Sequence, residues 1–319
     1  RTRLLHNTTL VLASDAVASA GGTFGVAVSE RGQGRGDLSG DGDDDDAVYF
    51  VYDPARGFSV GLGLAVAPQP APTTDGERYL VRAFEGASAR DANADGDRED
   101  WVVHVFEPAS GLLFDTGLAA QGAAALLGPW VAVSVSETMQ GGRDLDGDGA
   151  VDGNVVHVFG LEEGVLVDLG LDTFSLLASG PRLFMAPAED LAATDWNQDG
   201  DQSDRVLFDW NALDGRTSAA GSVVGALVAV AGDHALVTAR ESERGGDQND
   251  DGDADDLVLE LHDARTGTAR ALHLAAGGSA RLAPDLSLAV LVDELAQGRD
   301  LNADGDLADQ VLFFLPPQE

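Results

Sequence analysis

One acidic loop occurs six times along this chain of 319 residues, at nearly constant spacing. Successive copies begin 51 to 54 residues apart. Their first residues are Asp37, Asp91, Asp144, Asp195, Asp247 and Asp300. A fixed period of about 50 residues is typical of a propeller or a solenoid. The sequence therefore predicts one repetitive body over residues 1–319, with loops at 37–46, 91–100, 144–153, 195–204, 247–256 and 300–309.

The loops have the composition of a calcium site. Four of them read D-x-N-x-D-G-D-x-x-D or differ from it by one residue, so carboxylates and amides alternate before a glycine that lets the chain turn back. A backbone carbonyl at position 7 and a carboxylate at position 10 would complete a shell of oxygen ligands, which suits Ca²⁺ better than Mg²⁺. No His or Cys joins the pattern, which argues against zinc and copper. We predict about six Ca²⁺ ions.

The predicted ligands are, loop by loop, Asp37, Ser39, Asp41, Asp43 and Asp46; Asp91, Asn93, Asp95, Asp97 and Asp100; Asp144, Asp146, Asp148, Ala150 and Asp152; Asp195, Asn197, Asp199, Asp201 and Asp204; Asp247, Asn249, Asp251, Asp253 and Asp256; and Asp300, Asn302, Asp304, Asp306 and Asp309. The EF-hand loop has a bidentate Glu at position 12. Here position 12 is Val in every copy, which indicates that the loops lead into strands.

The third loop, from Asp144 to Asp152, has the spacing D-x-D-x-D-G-x-x-D. It resembles the calcium loop of FG-GAP repeats in integrin-type propellers, and the other five loops resemble it with one extra residue before the closing Asp. The segment before each loop looks more like a blade of TolB-like or WD-repeat proteins. The resemblance implies a propeller fold and calcium, and it leaves the activity open.

An apolar strand precedes each loop and another follows it, with turn residues at the outer ends. The runs predicted before the loops are Thr23–Glu30, Arg78–Glu85, Trp130–Glu137, Arg182–Glu189, His234–Glu241 and Ser287–Glu294. Those after the loops are Val48–Tyr52, Val102–Phe106, Val155–Phe159, Val206–Trp210, Leu257–Leu261 and Val311–Leu315. Many are continuously apolar, as expected of strands covered on both faces. We predict an all-β, six-bladed propeller with four strands per blade.

The two ends of the chain suggest how the ring would close. The sixth repeat stops soon after its third strand, whereas Thr2–His6 aligns with fourth-strand segments such as Thr268–His273. The N-terminal strand is therefore expected to complete the last blade, either in its own chain or in a neighbouring molecule.

The charge of the chain is concentrated in the loops. They hold 29 of the 55 acidic residues and one basic residue, so they carry −28 of the net charge of −36. Binding to nucleic acid is not expected, because phosphate contacts need clustered Lys and Arg. No apolar run is long enough for a transmembrane helix. The chain begins without Met and without a leader, which is typical of a secreted protein whose signal peptide has been removed, and we expect secretion.

A glutamate recurs six or seven residues before each loop. These residues are Glu30, Glu85, Glu137, Glu189, Glu241 and Glu294. Three roles remain open from the sequence: bonding to loop amides or to Arg90, Arg143 or Arg299; a role at the calcium ion; or a central ring of acids. His104 and His157 share one strand position and are interpreted as packing residues. No catalytic motif is present, and no catalytic residue is assigned.

The sequence favours a secreted, calcium-stabilised structural or adhesive propeller without catalysis. Its partners would be copies of itself, a surface protein or an anionic polysaccharide, and strand donation could produce an extracellular polymer. Two alternatives stay open: a calcium-dependent hydrolase or lyase, similar to paraoxonase-like propellers, and a lectin-like carbohydrate binder. The low aromatic content of 6% argues against the lectin.

Overall fold

The structure, a computed structural model, describes residues 7–67, 73–120, 122–192 and 194–317. The regular secondary structure of the described chain is almost entirely β-strand, and the chain divides into two compact units, Arg1–Gly170 and Leu171–Glu319. None of its helices has the length and apolar character required to span a lipid bilayer. The proposed closing strand, Thr2–His6, lies outside the described residues.

The first unit contains three four-stranded sheets in which chain neighbours lie side by side. The first sheet is β1 (Leu12–Ala20), β2 (Thr23–Ser29), β3 (Ala47–Asp53) and β4 (Phe58–Ala65). The second is β5 (Thr73–Thr74), β6 (Tyr79–Phe84), β7 (Trp101–Glu107) and β8 (Leu112–Ala119). The third is β9 (Ala124–Leu127), β10 (Trp130–Ser136), β11 (Asn154–Gly160) and β12 (Leu166–Asp172), the last strand continuing past the unit boundary.

The second unit contains one sheet of four strands and one of six. The smaller sheet is β13 (Leu176–Ser179), β14 (Arg182–Met185), β15 (Val206–Asn211) and β16 (Arg216–Val223). The larger is β17 (Ala226–Ala231), β18 (His234–Arg240), β19 (Leu257–Asp263), β20 (Thr268–Leu282), β21 (Leu288–Asp293) and β22 (Gln310–Leu315).

Strand β20 belongs to two repeats at once. Its first half pairs with β19 as far as Ala275, and its second half pairs with β21 from Ala276 onward, across a register shift. The expected last strand of the fifth repeat and first strand of the sixth are therefore one continuous strand. As a result the described residues form five sheets, four of which have the expected four strands.

The strands that flank each loop form the core. Val102, Val103 and Val105 of β7 are fully buried, and His104 between them is 2% exposed. The prediction that these runs are covered on both faces is therefore confirmed for this strand, as is the all-β class of the chain.

Short helical turns connect the second strand of four repeats to the acidic loop. They are α1 (Glu30–Gln33), α2 (Glu189–Ala192) and the 3₁₀ turns Gly86–Ser88 and Glu241–Arg244. In each case the recurring glutamate stands at the start of the turn or just before it.

Candidate metal centres

Each acidic loop lies between the second and third strands of its repeat, and its backbone reverses at two positions. The glycine at position 6 has a φ between +93° and +111° in all six loops. The residue at position 4 also has a positive φ, between +59° and +92°, although four of the six are not glycine. L-residues with a side chain rarely adopt this conformation, so a strong local reason must hold the loops in it.

That reason is a repeated set of side-chain to backbone hydrogen bonds. The first Asp of every loop accepts the N–H of the glycine at position 6 through Oδ2, at 2.9 to 3.2 Å. The Asp at position 5 accepts the N–H of position 7, at 2.7 to 3.2 Å. These bonds turn the loop back on itself, as the glycine and the alternating pattern predict.

Acidic side chains converge at the loops, and in four of the groups below the recurring glutamate is a member. In each group every member has one oxygen within 4.8 Å of an oxygen of every other member. The groups are Glu30, Asp43 and Asp46; Glu85, Asp97 and Asp100; Glu137, Asp144 and Asp146; Asp199, Asp201 and Asp204; and Glu241, Asp251, Asp253 and Asp256. Oxygen atoms so spaced fit one Ca²⁺, whose ligands lie at about 2.3 to 2.6 Å from the ion.

The side chain at position 7 contributes to the candidate metal site, whereas the sequence indicated only its backbone carbonyl. Its backbone carbonyl is the expected ligand, yet in four loops its carboxylate is a member of the converging group: Asp43, Asp97, Asp201 and Asp253. In the first loop Ser39 at position 3 donates its hydroxyl to Asp37 and to Asp41, both at 3.3 Å. The hydroxyl thus lies between two predicted ligands.

The six recurring glutamates are buried beneath the loops, each at most 2% exposed. Their Oε1 atom accepts the N–H of loop position 2 in every repeat, and that of position 3 in five of them. Their own N–H groups bond to the carbonyl of loop position 10, at 2.8 to 3.1 Å. Bonding to the loop amides is therefore confirmed among the roles considered. Within the described residues no ion pair joins these glutamates to Arg90, Arg143 or Arg299.

Burial, together with the neighbouring carboxylates, raises the pKa of the Asp that closes three of the loops. Burial first, and then neighbouring carboxylates, raise the pKa of Asp46 to about 6. Burial and the carboxylates of Asp95 and Asp97 raise the pKa of Asp100 to about 7, against the lowering effect of the Asn93 amide. Burial and Asp251 raise the pKa of Asp256 to about 6. A divalent cation between these groups would remove the repulsion.

In two loops the amide at position 3 also contacts the next repeat. Asn93 accepts the N–H of Asp95 at 3.2 Å, and its Nδ2 donates to Asp100 at 3.1 Å and to the carbonyl of Met139 at 2.7 Å. Met139 follows β10, so the second loop is bonded to the third sheet. Asn249 makes the equivalent bond to the carbonyl of Ala296 at 2.6 Å.

A glutamine in the next repeat completes each of these contacts. Gln140 accepts the N–H of Ala119 at 2.9 Å and donates to the carbonyl of Gly117 at 3.0 Å. Gln297 accepts the N–H of Ala275 at 2.8 Å and donates to the carbonyl of Asn249 at 3.2 Å. Sequence reasoning missed both residues. The sequence feature that could have identified them is a Gln-Gly pair shortly before the Arg that precedes the first Asp of the third and sixth loops.

The strand histidines are buried. His104 is 2% exposed, and its Nδ1 lies 3.3 Å from Oδ1 of Asp115. Burial lowers the pKa of His104 to about 4, although Asp115 opposes that shift. The ring is therefore neutral at pH 7 and packs inside the second sheet, in agreement with the interpretation from the sequence.

Comparison with known proteins supports the fold. No protein-family model and no curated protein sequence matches this chain. Among solved structures, the β-propeller domain of the Trilobed protease from Pyrococcus furiosus, which has an open velcro topology, superposes with a TM-score of 0.50 at 9% identity. The match covers 87% of this chain and 78% of that domain. The chain has a fold of the β-propeller type.

Two further neighbours have lower scores and add no argument. An acylaminoacyl peptidase from Pyrococcus horikoshii has a TM-score of 0.47 at 10% identity, with 90% of this chain and 44% of that one covered. The tricorn protease has a TM-score of 0.44 at 11% identity, with 86% and 28% covered. This chain thus spans less than half the length of either peptidase.

Proposed function

We propose that this protein is a calcium-binding β-propeller in which about six ions stabilise the sheets, and that its role is structural or adhesive. The observation that carries the proposal is the recurring convergence of carboxylates over a buried glutamate. Such groups repel one another unless a cation lies between them, and their oxygen-only chemistry favours Ca²⁺.

The law of mass action gives the size of the proposed stabilisation by calcium. A site with a Kd of about 10⁻⁴ M, in about 1 mM calcium, adds about 1.4 kcal/mol to the free energy of unfolding. Six such sites would together match the stability of an ordinary domain, which is about 5 to 15 kcal/mol. Affinities of this class suit the extracellular medium, which agrees with the proposal that the protein is secreted.

The finer architecture belongs to the same proposal. We assign six blades, with β20 serving both the fifth and the sixth. Strand β22 is the last strand of its sheet in the described residues, and its outer edge is free to pair with another strand. Residues Thr2–His6 would supply that strand, in the same chain or from a second copy. Donation between copies would assemble the protein into a polymer.

Thermal unfolding in calcium, in magnesium and in a chelator tests the calcium proposal. Calcium should raise the midpoint by at least about 10 °C over the chelated protein, because several kcal/mol of stability depends on it. Magnesium at the same concentration should restore much less, because it demands a smaller octahedral shell. Equal midpoints with and without calcium would contradict the proposal.

Light scattering tests how the last sheet is completed. A particle of 32.9 kDa in calcium would indicate that Thr2–His6 pairs within its own chain. Long polymers that disappear when residues 1–6 are deleted would indicate donation between copies. Polymers that persist after the deletion would exclude strand donation as their cause.

A further inference from the structure

Three of the six buried glutamates have one oxygen that the loop backbone does not use, whereas Oε2 of the other three accepts the N–H of loop position 10. In Glu85, Glu189 and Glu294 the Oε2 atom is inaccessible to solvent and has no hydrogen-bond partner among the described residues. The other oxygen, Oε1, accepts two loop N–H groups in each of the three. The carboxylate is thus fixed in place by one atom while the second remains unsatisfied.

We infer that Glu85 is a direct calcium ligand through Oε2, in addition to its ten-residue loop. This inference rests on the proposed function, and it names a ligand that lies outside the loop motif. An unsatisfied buried carboxylate oxygen is costly, since removal from water must be offset by a hydrogen bond, an ion pair or a metal. No Arg pairs with these glutamates in the described part of the chain.

The distances around Glu85 support a shared ion. One oxygen each from Glu85, Asp97 and Asp100 lies within 4.8 Å of the other two. Two ligands of one Ca²⁺ cannot be more than about 5 Å apart, because each lies about 2.5 Å from the ion. A single ion can therefore contact all three carboxylates without a change in the position of the backbone.

Glu85 would give the site two properties that the loop alone lacks. The loop is exposed at most of its positions, whereas Glu85 is 2% exposed and approaches from beneath it. A ligand from the protein interior adds one negative charge on the side that solvent does not reach. It also connects the ion to the end of β6, so that ion binding orders the strand as well as the loop.

The alternative is that the glutamate only holds the loop backbone through Oε1. The substitution Glu85→Gln separates the two roles, because the amide oxygen of Gln can still accept the N–H groups of Ala92 and Asn93. Its NH₂ group would replace Oε2, and an NH₂ group does not bind calcium. The matched control is Glu99→Gln, which removes the same charge from an exposed position of the same loop.

Calcium titration by calorimetry, with folding checked by circular dichroism, gives the first readout. In Glu85→Gln one of about six sites should weaken by about 10-fold or more, because ligand charge sets affinity in such loops. Glu99→Gln should retain all sites with less than about a 3-fold change. Equal affinities in the two variants would overturn the inference and leave the proposed function intact. A wild-type protein that binds no calcium would overturn both.

A second readout does not depend on a variant that folds. In a crystal structure of the wild-type protein grown in calcium, Oε2 of Glu85 should lie about 2.3 to 2.6 Å from an ion. An ion held by the loop with Oε2 of Glu85 beyond about 4 Å would exclude direct ligation.

Discussion

The second and third loops lie in the same unit and differ in how well they match the familiar calcium motif. The third, from Asp144 to Asp152, has the FG-GAP spacing without change, yet its closing residue Asp152 is exposed and is not in the converging group. The second is one residue longer, and its closing residue Asp100 is 6% exposed and lies inside the group.

The amide at position 3 explains much of this difference. Asn93 donates to Asp100 and to the third sheet, whereas Asp146, at the same position of the third loop, has no N–H₂ group to donate. In addition, Oε2 of Glu137 accepts the N–H of Gly153 at 2.8 Å, while Oε2 of Glu85 is unpartnered. The comparison teaches that a match to the motif identifies the ion, while contacts outside the motif determine how the site is built.

The largest effect should come from the position-3 residues themselves. Asn93→Ala removes two hydrogen bonds, to the buried carboxylate of Asp100 and to the half-buried carbonyl of Met139, and should lower the free energy of unfolding by about 2 to 3 kcal/mol. Asp146→Ala in the third loop has no amide donor to remove and should cost about 1 kcal/mol or less in the calcium-free protein. Urea unfolding in a chelator measures both, because each side chain is also a predicted calcium ligand. Equal losses would show that the amide contact between sheets does not distinguish the loops.

The next effect tests the glutamine on the other side of the contact. Gln140→Ala leaves the buried N–H of Ala119 unsatisfied, so we expect a loss of about 1 to 2 kcal/mol. The control Gln202→Ala, at an exposed position, should change stability by less than about 0.5 kcal/mol. The same urea experiment applies. A loss of similar size in both variants would indicate a general effect of removing Gln.

Two adjacent glycines sharpen the comparison further. A Cβ on Gly141 would lie 3.0 Å from Cβ of Asp95 in the second loop, whereas a Cβ on Gly142 meets nothing within 4 Å. Both have a positive φ, so both Ala substitutions carry a backbone cost of about 1 kcal/mol. Gly141→Ala should lose about 1 kcal/mol more, because the loop must move. Equal losses would mean that the loop yields freely at this contact.

The smallest expected effect is the pH dependence of the calcium-free protein. The folded pKa of Asp100, about 7, is above the unfolded value of about 3.9, so the folded state binds the proton more tightly. This contribution to stability is present at low pH and is lost as pH rises through 7. After calcium removal on a chelating resin, the unfolding midpoint should be a few degrees higher at pH 5 than at pH 8.

The substitutions Asp100→Asn and Asp152→Asn separate the two loops in that experiment. The first should reduce the pH dependence, because it removes a buried titrating group. The second should not change it, because Asp152 is exposed. A midpoint that rises toward pH 8 in the unsubstituted, calcium-free protein would contradict the sign of the effect.

Local pattern was sufficient to predict the strands and the loop conformation. The run Val102–Phe106 lies within β7, and the position-6 glycines have the positive φ that their place in the motif required. Both features depend on neighbours in the sequence. Long-range features were not accessible in this way, because a Gln or a Glu can satisfy its polar atoms with many partners. The packing of the second sheet against the third, and not the local sequence, determines that Gln140 accepts the N–H of Ala119.

The continuous strand β20 was also beyond the sequence argument. Its two halves were expected in separate blades, and the pattern contains the turn-like pair Gly277-Gly278 between them. The structure instead places the carbonyl oxygen of Leu291 2.8 Å from where a Cβ of Gly277 would be. The glycine permits close approach of two strands there, and it does not end the strand.

The shared strand has a consequence for how the second unit comes apart. A repeat whose strands are all its own can lose its hydrogen bonds while its neighbour stays intact. Opening β21 from β20, in contrast, exposes backbone that is continuous with the partner of β19. The amides of β18, β19 and β21 should therefore exchange with solvent deuterium through one common opening event. We therefore expect the last two repeats to unfold as a single foldon.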